Sequence, residues 1–288
     1  MIWLVGKTGM LGREIALALE NAGIPYFGSG SEIDITDKDA VHSFISGKKF
    51  THIINCSAYT AVDKAESEEE KAMRLNCSGV GNIADAAGQL DAVVIHFSTD
   101  YVFDGTAVKQ YSETDLTNPV SAYGRTKLAG EKLLSETAKK YFIFRISWLY
   151  GAYGDNFVST MVRLMNERDS LGIVADQKGS PTYTKTLAQN IVSLVLSDTD
   201  KYGVYHFSDE GVISWYDFAA SIYKLGKQSG VIKKNTVLNP ISADQHPTAA
   251  KRPAMSAFNK DKVKNVLNFK LNKWEDNLSD YFKYQGEK

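Results

Sequence analysis

The chain has little that would cross-link it or anchor it to a surface. It contains two cysteines, Cys56 and Cys77, in no Cys-x-x-Cys pair. That argues against a disulfide framework and suits a reducing compartment. No apolar run approaches the roughly 18 residues that a membrane span needs. No basic segment leads into a long apolar one, because Met1 passes directly into Ile2-Trp-Leu-Val5 and a glycine. Neither sign of charge dominates: the formal net charge is −1, which gives no hint of a nucleic-acid or membrane partner. The histidines His42, His52, His96, His206 and His246 show no metal-ligand spacing. What remains is an ordinary globular balance, with 43% hydrophobic and 23% charged residues in 288. The expectation is a cytoplasmic protein of one large domain, or one domain with a lobe.

Strand-length apolar bursts alternate with helical stretches through the first half. Ile2–Val5, Ile24–Phe27, His52–Asn55, Ala92–Phe97 and Tyr141–Ile146 are the bursts, and helical periodicity fills Leu11–Ala22, Asp37–Ser46 and about Ser67–Gln89. Continuous apolar strands between helices imply a parallel sheet covered on both faces, the doubly wound α/β (Rossmann-type) pattern. After about residue 150 the strands become shorter and scattered, as in Leu171–Ala175 and Val204–Phe207. The reading is a dinucleotide-binding domain over 1–150 and a smaller C-terminal substrate lobe over 151–288. Elements near 184–200 are candidates to return to the main sheet.

Gly6-Lys-Thr-Gly9-Met-Leu-Gly12 follows the first strand and opens the first helix, the context a dinucleotide fingerprint requires. Glycines permit the tight turn and close backbone approach, and a helix N-terminus favours a pyrophosphate. Gly6, Thr8, Gly9, Met10, Leu11 and Gly12 are therefore candidate cofactor contacts. Glu32 and Asp34 lie where an acidic residue would take a ribose 2′-hydroxyl, though both also suit a solvated loop. No arginine stands there for a 2′-phosphate, and Lys7 and Arg13 are the nearest cations. NADPH and NADH both remain open.

Ser121-Ala-Tyr-Gly-Arg-Thr-Lys127 opens another amphipathic helix, with Ser121 as its N-cap. Tyr123 and Lys127 stand four residues apart and share one face. Taken alone, the pair also fits a half-buried aromatic beside a solvated lysine.

Larger blocks change that balance. Asn55-Cys-Ser-Ala-Tyr-Thr-Ala-Val-Asp63, Phe97-Ser-Thr-Asp-Tyr-Val-Phe-Asp-Gly105, Tyr123-x-x-x-Lys127, Ser147-Trp-Leu-Tyr-Gly151, Asn156-Phe157, Asp176-Gln-x-Gly-x-Pro-Thr182 and Arg252-Pro-x-x-Ser256 run over nearly the whole chain. With the glycine loop, they make it resemble the extended short-chain dehydrogenase/reductases. The resemblance implies NAD(P)H-dependent reduction of the 4-keto group of a nucleotide sugar, dTDP-4-dehydro-β-L-rhamnose, with no metal at the catalytic centre. It implies that Tyr123 donates the proton, that Lys127 favours the phenolate and holds the nicotinamide ribose, and that Thr99 polarises the substrate carbonyl. Asp34, Ile35, Ala58, Tyr59, Thr60 and Phe97 would line the cofactor. Asp100, Trp148, Asn156 and Arg252 would meet the substrate, Arg252 at its diphosphate with a fork suited to phosphate. Trp148 equally suits a core, and the Lys251–Arg252 pair a solvated loop. Some relatives are metal-assisted dimers; here Glu14 is one acidic candidate, but Lys185 stands where a second carboxylate would be wanted. Monomer and homodimer are both open.

Three other readings are weaker. A related 4,6-dehydratase carries Thr-Asp-Glu, whereas Thr99-Asp100 is followed by Tyr101. An epimerase-reductase adds a Cys/His pair, and no histidine lies between His96 and His206. A cofactor-binding regulatory subunit would not need Thr99, Tyr123 and Lys127 together. A reductase of a related 4-keto-6-deoxy sugar could share every block.

Overall fold

Ile2–Val5 is buried at all of its positions, which only a strand covered on both faces allows. In the computed structural model, which describes residues 1–286, this strand (β1) lies inside a six-stranded sheet. Its partners are β2 (Tyr26–Ser29) and β3 (His52–Asn55), followed outward by β4 (Val93–Thr99), β5 (Tyr141–Ile146) and the strand Gly203–Phe207. Every pairing in this sheet is parallel. The order runs β2-β1-β3-β4-β5 and then 203–207, so the chain changes direction of travel between β1 and β3. Such a switch point leaves a crevice at the carboxyl ends of the two strands.

Each face of the sheet has its own apolar layer. Leu11, Ile15 and Leu19 of the first helix (Met10–Asn21) meet Leu187, Ala188 and Ile191 of the helix Thr184–Leu196 on one face. Val41, Ile45, Val80, Ile83, Ala84 and Leu134 cover the other. A separate cluster of Tyr150, Val158, Met161, Phe218, Ile222 and Leu278 fills the C-terminal lobe, where Ser170–Val174 pairs in parallel with Val237–Ile241. Lys185 is tied to Asp280 by an ion pair of 2.8 Å.

Three expectations need correction. Val204–Phe207 is not a lobe strand: it is the edge of the main sheet, paired with β5 from Phe142 to Ile146. Its Tyr205 packs on Phe144 and its Phe207 on Phe269, contacts invisible to local patterning. β2 starts two residues late, because Pro25 lacks the N–H for a ladder bond and serves as acceptor to Ile2 N at 3.2 Å. The helical region near 67–89 is interrupted by a π-helical turn, Arg74–Ser78, between Glu69–Met73 and Gly79–Leu90. Among the described residues no helix is long and apolar enough to cross a membrane.

Candidate active site

The glycine loop turns off β1 with Gly6 at φ +75°, a left-handed conformation that side chains disfavour. Gly6 N and Lys7 N both donate to Ser29 O, at 2.8 and 2.9 Å, which pins the loop to the end of β2. A Cβ on Gly12 would overlap the Gly6 carbonyl, so the helix can start this close to the turn only with glycine there. Gly9 is the N-cap of the first helix, and no side chain caps it. The first turn therefore offers backbone N–H groups and a positive dipole end without a protein anion in place. These features fit a dinucleotide pyrophosphate. Thr8 is exposed, whereas Leu11 is buried in the core and could offer such a ligand only its backbone.

Beyond β2 the two acidic candidates are held locally. Glu32 accepts from Gly30 N at 2.8 Å, and Asp34 accepts from both the N and Oγ1 of Thr36 at 2.9 and 2.8 Å. Ile35 points into the core, leaving its backbone for a ligand. Lys7 lays its stem across Gly28. Arg13 donates to Thr8 O at 3.0 Å, with its guanidinium 5.5 Å from the Tyr153 ring centre.

The segment Ala58–Thr60 follows β3 into the crevice. Its backbone is clamped by Asn76, which accepts from Tyr59 N at 2.8 Å and donates to Tyr59 O at 3.1 Å. The same amide lies 3.1 Å from Thr126 Oγ1. Asn76 can reach all three because it sits on the π-helical turn, a device common at functional sites. Tyr59 itself turns its hydroxyl to Glu68 at 2.8 Å.

β4 carries Phe97 and ends at Thr99, and a short 3₁₀ turn, Asp100–Val102, follows. The helix Ala122–Thr137 begins where Ser121 caps Gly124 N at 3.2 Å. It brings Tyr123 and Lys127 against the end of β4. The Thr99 hydroxyl donates to Asp100 Oδ1 at 3.0 Å and accepts from Tyr101 N at 3.3 Å. Tyr101 packs edge-on against Tyr123, with centroids 5.5 Å apart. Burial pushes the Tyr123 phenol above its ordinary value, and the neighbouring Thr99 hydroxyl opposes that push. Burial also raises the Asp100 carboxyl to about 6. Lys127 is lowered to about 8 by burial, against the Glu131 carboxylate. Its Nζ donates to Phe97 O at 2.6 Å and lies 3.3 Å from His96 Nε2.

Trp148, Asn156 and Arg252 come from the later part of the chain. Trp148 adopts φ +47°, rare for a bulky residue, and its ring stacks on Trp215 with centroids 3.5 Å apart. Its ring also closes on Gly179, beside Ser256. Arg252 donates to Tyr101 Oη at 3.0 Å and to Asp63 Oδ2 at 2.8 Å. Asn156 is otherwise engaged: it caps the helix Phe157–Glu167 through Ser159 N at 3.1 Å and donates to Gly151 O at 3.0 Å. Its amide oxygen and nitrogen both serve that turn, so a direct diphosphate contact would require the cap to open. Among the described residues no cluster of His, Cys, Asp and Glu is arranged to hold a metal.

Four residues at the site escaped the reading of the sequence: Asn55, Asp63, Asn76 and His96. Asn55 and Asp63 lie inside a quoted block. His96 had a visible signal, a histidine within the apolar run Ala92-Val-Val-Ile-His-Phe97. A buried imidazole must find partners.

Comparison with known proteins identifies the family, and one curated relative, from Streptomyces niveus, is a dTDP-4-keto-6-deoxy-D-glucose reductase at 35% identity over 97% of this chain and 96% of that one. The sequence profile described as the RmlD substrate binding domain matches residues 1–286. The dTDP-4-dehydrorhamnose reductase of Aggregatibacter actinomycetemcomitans is 40% identical over 287 residues, with 98% of each chain covered. A crystal structure of a dTDP-4-dehydrorhamnose reductase from Clostridium acetobutylicum superposes with a TM-score of 0.93 at 37% identity, covering 99% of both chains. That of the Bacillus anthracis enzyme, in complex with NADP, gives 0.92 at 35% identity over 98% of both.

Proposed function

We propose a function from one premise: the chain belongs to the family of the RmlD substrate binding domain. It reduces the 4-keto group of dTDP-4-dehydro-β-L-rhamnose with NADPH or NADH, giving dTDP-L-rhamnose. The observation that carries this reading is the meeting of Thr99, Tyr123 and Lys127 at the carboxyl end of β4, beside the switch-point crevice and the uncapped glycine-loop helix.

When bound, the nicotinamide supplies the hydride. Gly6 to Gly12 would hold the pyrophosphate, Asp34 and the Ile35 backbone the adenosine side, and Ala58–Thr60, Phe97, Tyr123 and Lys127 the nicotinamide side. Tyr123 keeps its proton through the neutral range, because burial disfavours the phenolate. It gives that proton to the carbonyl oxygen as negative charge grows there. Asp100 holds the Thr99 hydroxyl at the end of β4, and by rotating its one proton from Asp100 to the substrate Thr99 would support the same oxygen. Lys127 places positive charge behind the forming phenolate, so the charged state becomes accessible only once the reaction demands it. Asp100 Oδ2 is buried beside Ser256 with no well-formed hydrogen bond among the described residues, and a sugar hydroxyl would complete its partners. Trp148 would present an apolar face to the sugar ring, and Arg252 its guanidinium to the diphosphate.

The direct test is spectrophotometric. Purified protein mixed with dTDP-4-dehydrorhamnose and NADPH, then NADH, should consume the reduced cofactor in proportion to the dTDP-L-rhamnose formed. Stable cofactor absorbance with both, from folded protein, would reject the reading.

A further inference from the structure

His96 is fully buried on β4, directly opposite Asn55 of β3 in the sheet register. Its Nδ1 lies 3.3 Å from Asn55 Nδ2, and its Nε2 lies 3.3 Å from Lys127 Nζ. Four nitrogens from three side chains in a row pose a donor problem that one upstream contact resolves. Asn55 Oδ1 accepts from Ser57 N at 3.0 Å and from Ser57 Oγ at 2.6 Å. A backbone N–H can only donate, so the Asn55 oxygen must face Ser57 and its NH₂ must face His96. Nδ1 is then the acceptor. Burial and the neighbouring lysine hold the imidazole neutral, well below its usual value, so its single proton is on Nε2. That N–H points at Lys127. An ammonium there sets donor against donor, whereas a free amine accepts the bond and still donates to the Phe97 carbonyl.

We propose that His96 is a positioning residue for the reduction: locked as the Nε2–H tautomer by Ser57 and Asn55, it cradles the free amine that Lys127 becomes once its ammonium has given up a proton. This rests on the catalytic reading of Lys127 given above. After Tyr123 has passed its proton to the carbonyl oxygen, a proton from the Lys127 ammonium restores the phenol and leaves the amine. His96 stabilises that state until solvent reprotonates the lysine. Other groups around Lys127 act in known directions. Glu131, one turn along the same helix, favours the ammonium, but its carboxylate is shared with Arg145 of β5 and Ser98 of β4. Tyr123 is neutral. Cys77, on the π-helical turn packed against this helix, is kept protonated by burial. Arg125 is turned outward to Glu69 at 2.7 Å.

The tautomer can be read without turnover. In ¹⁵N-histidine-labelled protein, NMR should show one imidazole with its proton on Nε2 and a bare Nδ1, unchanged from about pH 6 to about pH 9. Its signal is assigned by its loss in His96→Gln. A proton on Nδ1, or on both nitrogens, overturns the proposal. Two variants then test the consequence. Asn55→Asp accepts from Nδ1–H, moves the proton there and makes Nε2 an acceptor for the ammonium. Asn55→Ala frees Nδ1 without adding charge. Both should shift the alkaline limb of kcat upward, by about one pH unit or a tenfold change in lysine proton affinity. No shift in either variant makes His96 a merely structural histidine. A shift in the aspartate variant alone assigns the effect to the added charge. Either result overturns the role. Full turnover in Lys127→Met would instead remove the catalytic reading, while the tautomer measurement would stand by itself.

Discussion

Asp63 and Arg252 hold each other across 189 positions of sequence. The guanidinium donates to Oδ2 at 2.8 Å, while Asp63 Oδ1 accepts from Ala250 N at 3.0 Å. One carboxylate thus fixes both the backbone and the cation of the lobe segment that closes over Tyr101. Asp63→Ala should loosen that segment without touching Tyr123. The expected result is a rise in KM for the nucleotide sugar of about tenfold, the worth of one or two charged hydrogen bonds, with kcat changed less. Steady-state kinetics at saturating cofactor checks this; an unchanged KM would mean that Arg252 finds its place unaided.

Tyr123→Phe keeps the ring packed against Tyr101 and removes only the hydroxyl. Turnover should fall at least about 100-fold, the usual scale of acid–base assistance, with cofactor affinity little changed. Near wild-type turnover in pure variant protein would take Tyr123 out of the mechanism.

Burial lowers Lys127 to about 8, so the ammonium should be lost above that pH and turnover should decline along an alkaline limb. Lys127→Met removes the titrating group. The limb should move upward, overall turnover should be lower, and cofactor binding should weaken. An unchanged pH profile with unchanged cofactor affinity would contradict both assigned roles.

Neither cofactor should be strongly excluded. Glu32 is tied to Gly30 N, Arg13 is turned toward Thr8 and Tyr153, and Lys7 crosses Gly28 at the end of β2. One cation and one anion near the same ribose position oppose each other. The specificity constants for NADPH and NADH should lie within about tenfold, or roughly 1.4 kcal/mol. A preference above about a hundredfold would show that Lys7 or another group forms a dedicated phosphate site.

Asp209 gives a pH signature of stability. Burial raises its carboxyl from 3.8 to about 8, with Lys260 opposing the rise. Between those values the native state keeps a proton that the unfolded chain releases, so stability falls as pH rises through the window. Asp209→Asn should flatten that dependence. Urea midpoints at about pH 5 and about pH 8 check it; an equally steep loss in the variant would place the titration elsewhere.

The first half of the fold was legible because its signals are local. β1, β3 and β5 are short apolar runs, and a glycine loop between a strand and a helix has one common use. The resemblance rested on blocks such as Phe97-Ser-Thr-Asp-Tyr-Val-Phe, and the similarity to known reductases bears it out. Gly203–Phe207 was misplaced because its partner β5 lies some sixty residues upstream, and nothing in its own pattern separates a sheet edge from a lobe strand. Asn156 reads equally as a ligand contact and as a helix cap, because an asparagine just before a helix suits both, and its cap is what the structure adds. His96 was illegible because histidine spacing speaks only to metal ligation, while its proposed role depends on the tautomer that Asn55 imposes.

The edge position of Gly203–Phe207 also orders events at birth. When residue 150 has been synthesised, the glycine loop, Tyr123 and Lys127 already exist, yet β5 has an open edge. Phe142 and Phe144 still await Leu187, Ile191, Tyr205 and Phe207, which cover them in the finished sheet. At roughly 5–20 residues per second, translation leaves that edge bare for some seconds. An unpaired apolar edge is what holdase chaperones grip and what nascent neighbours pair with. The growing chain should therefore be most vulnerable, and most dependent on such help, after its chemical groups are complete and before residue 207 emerges.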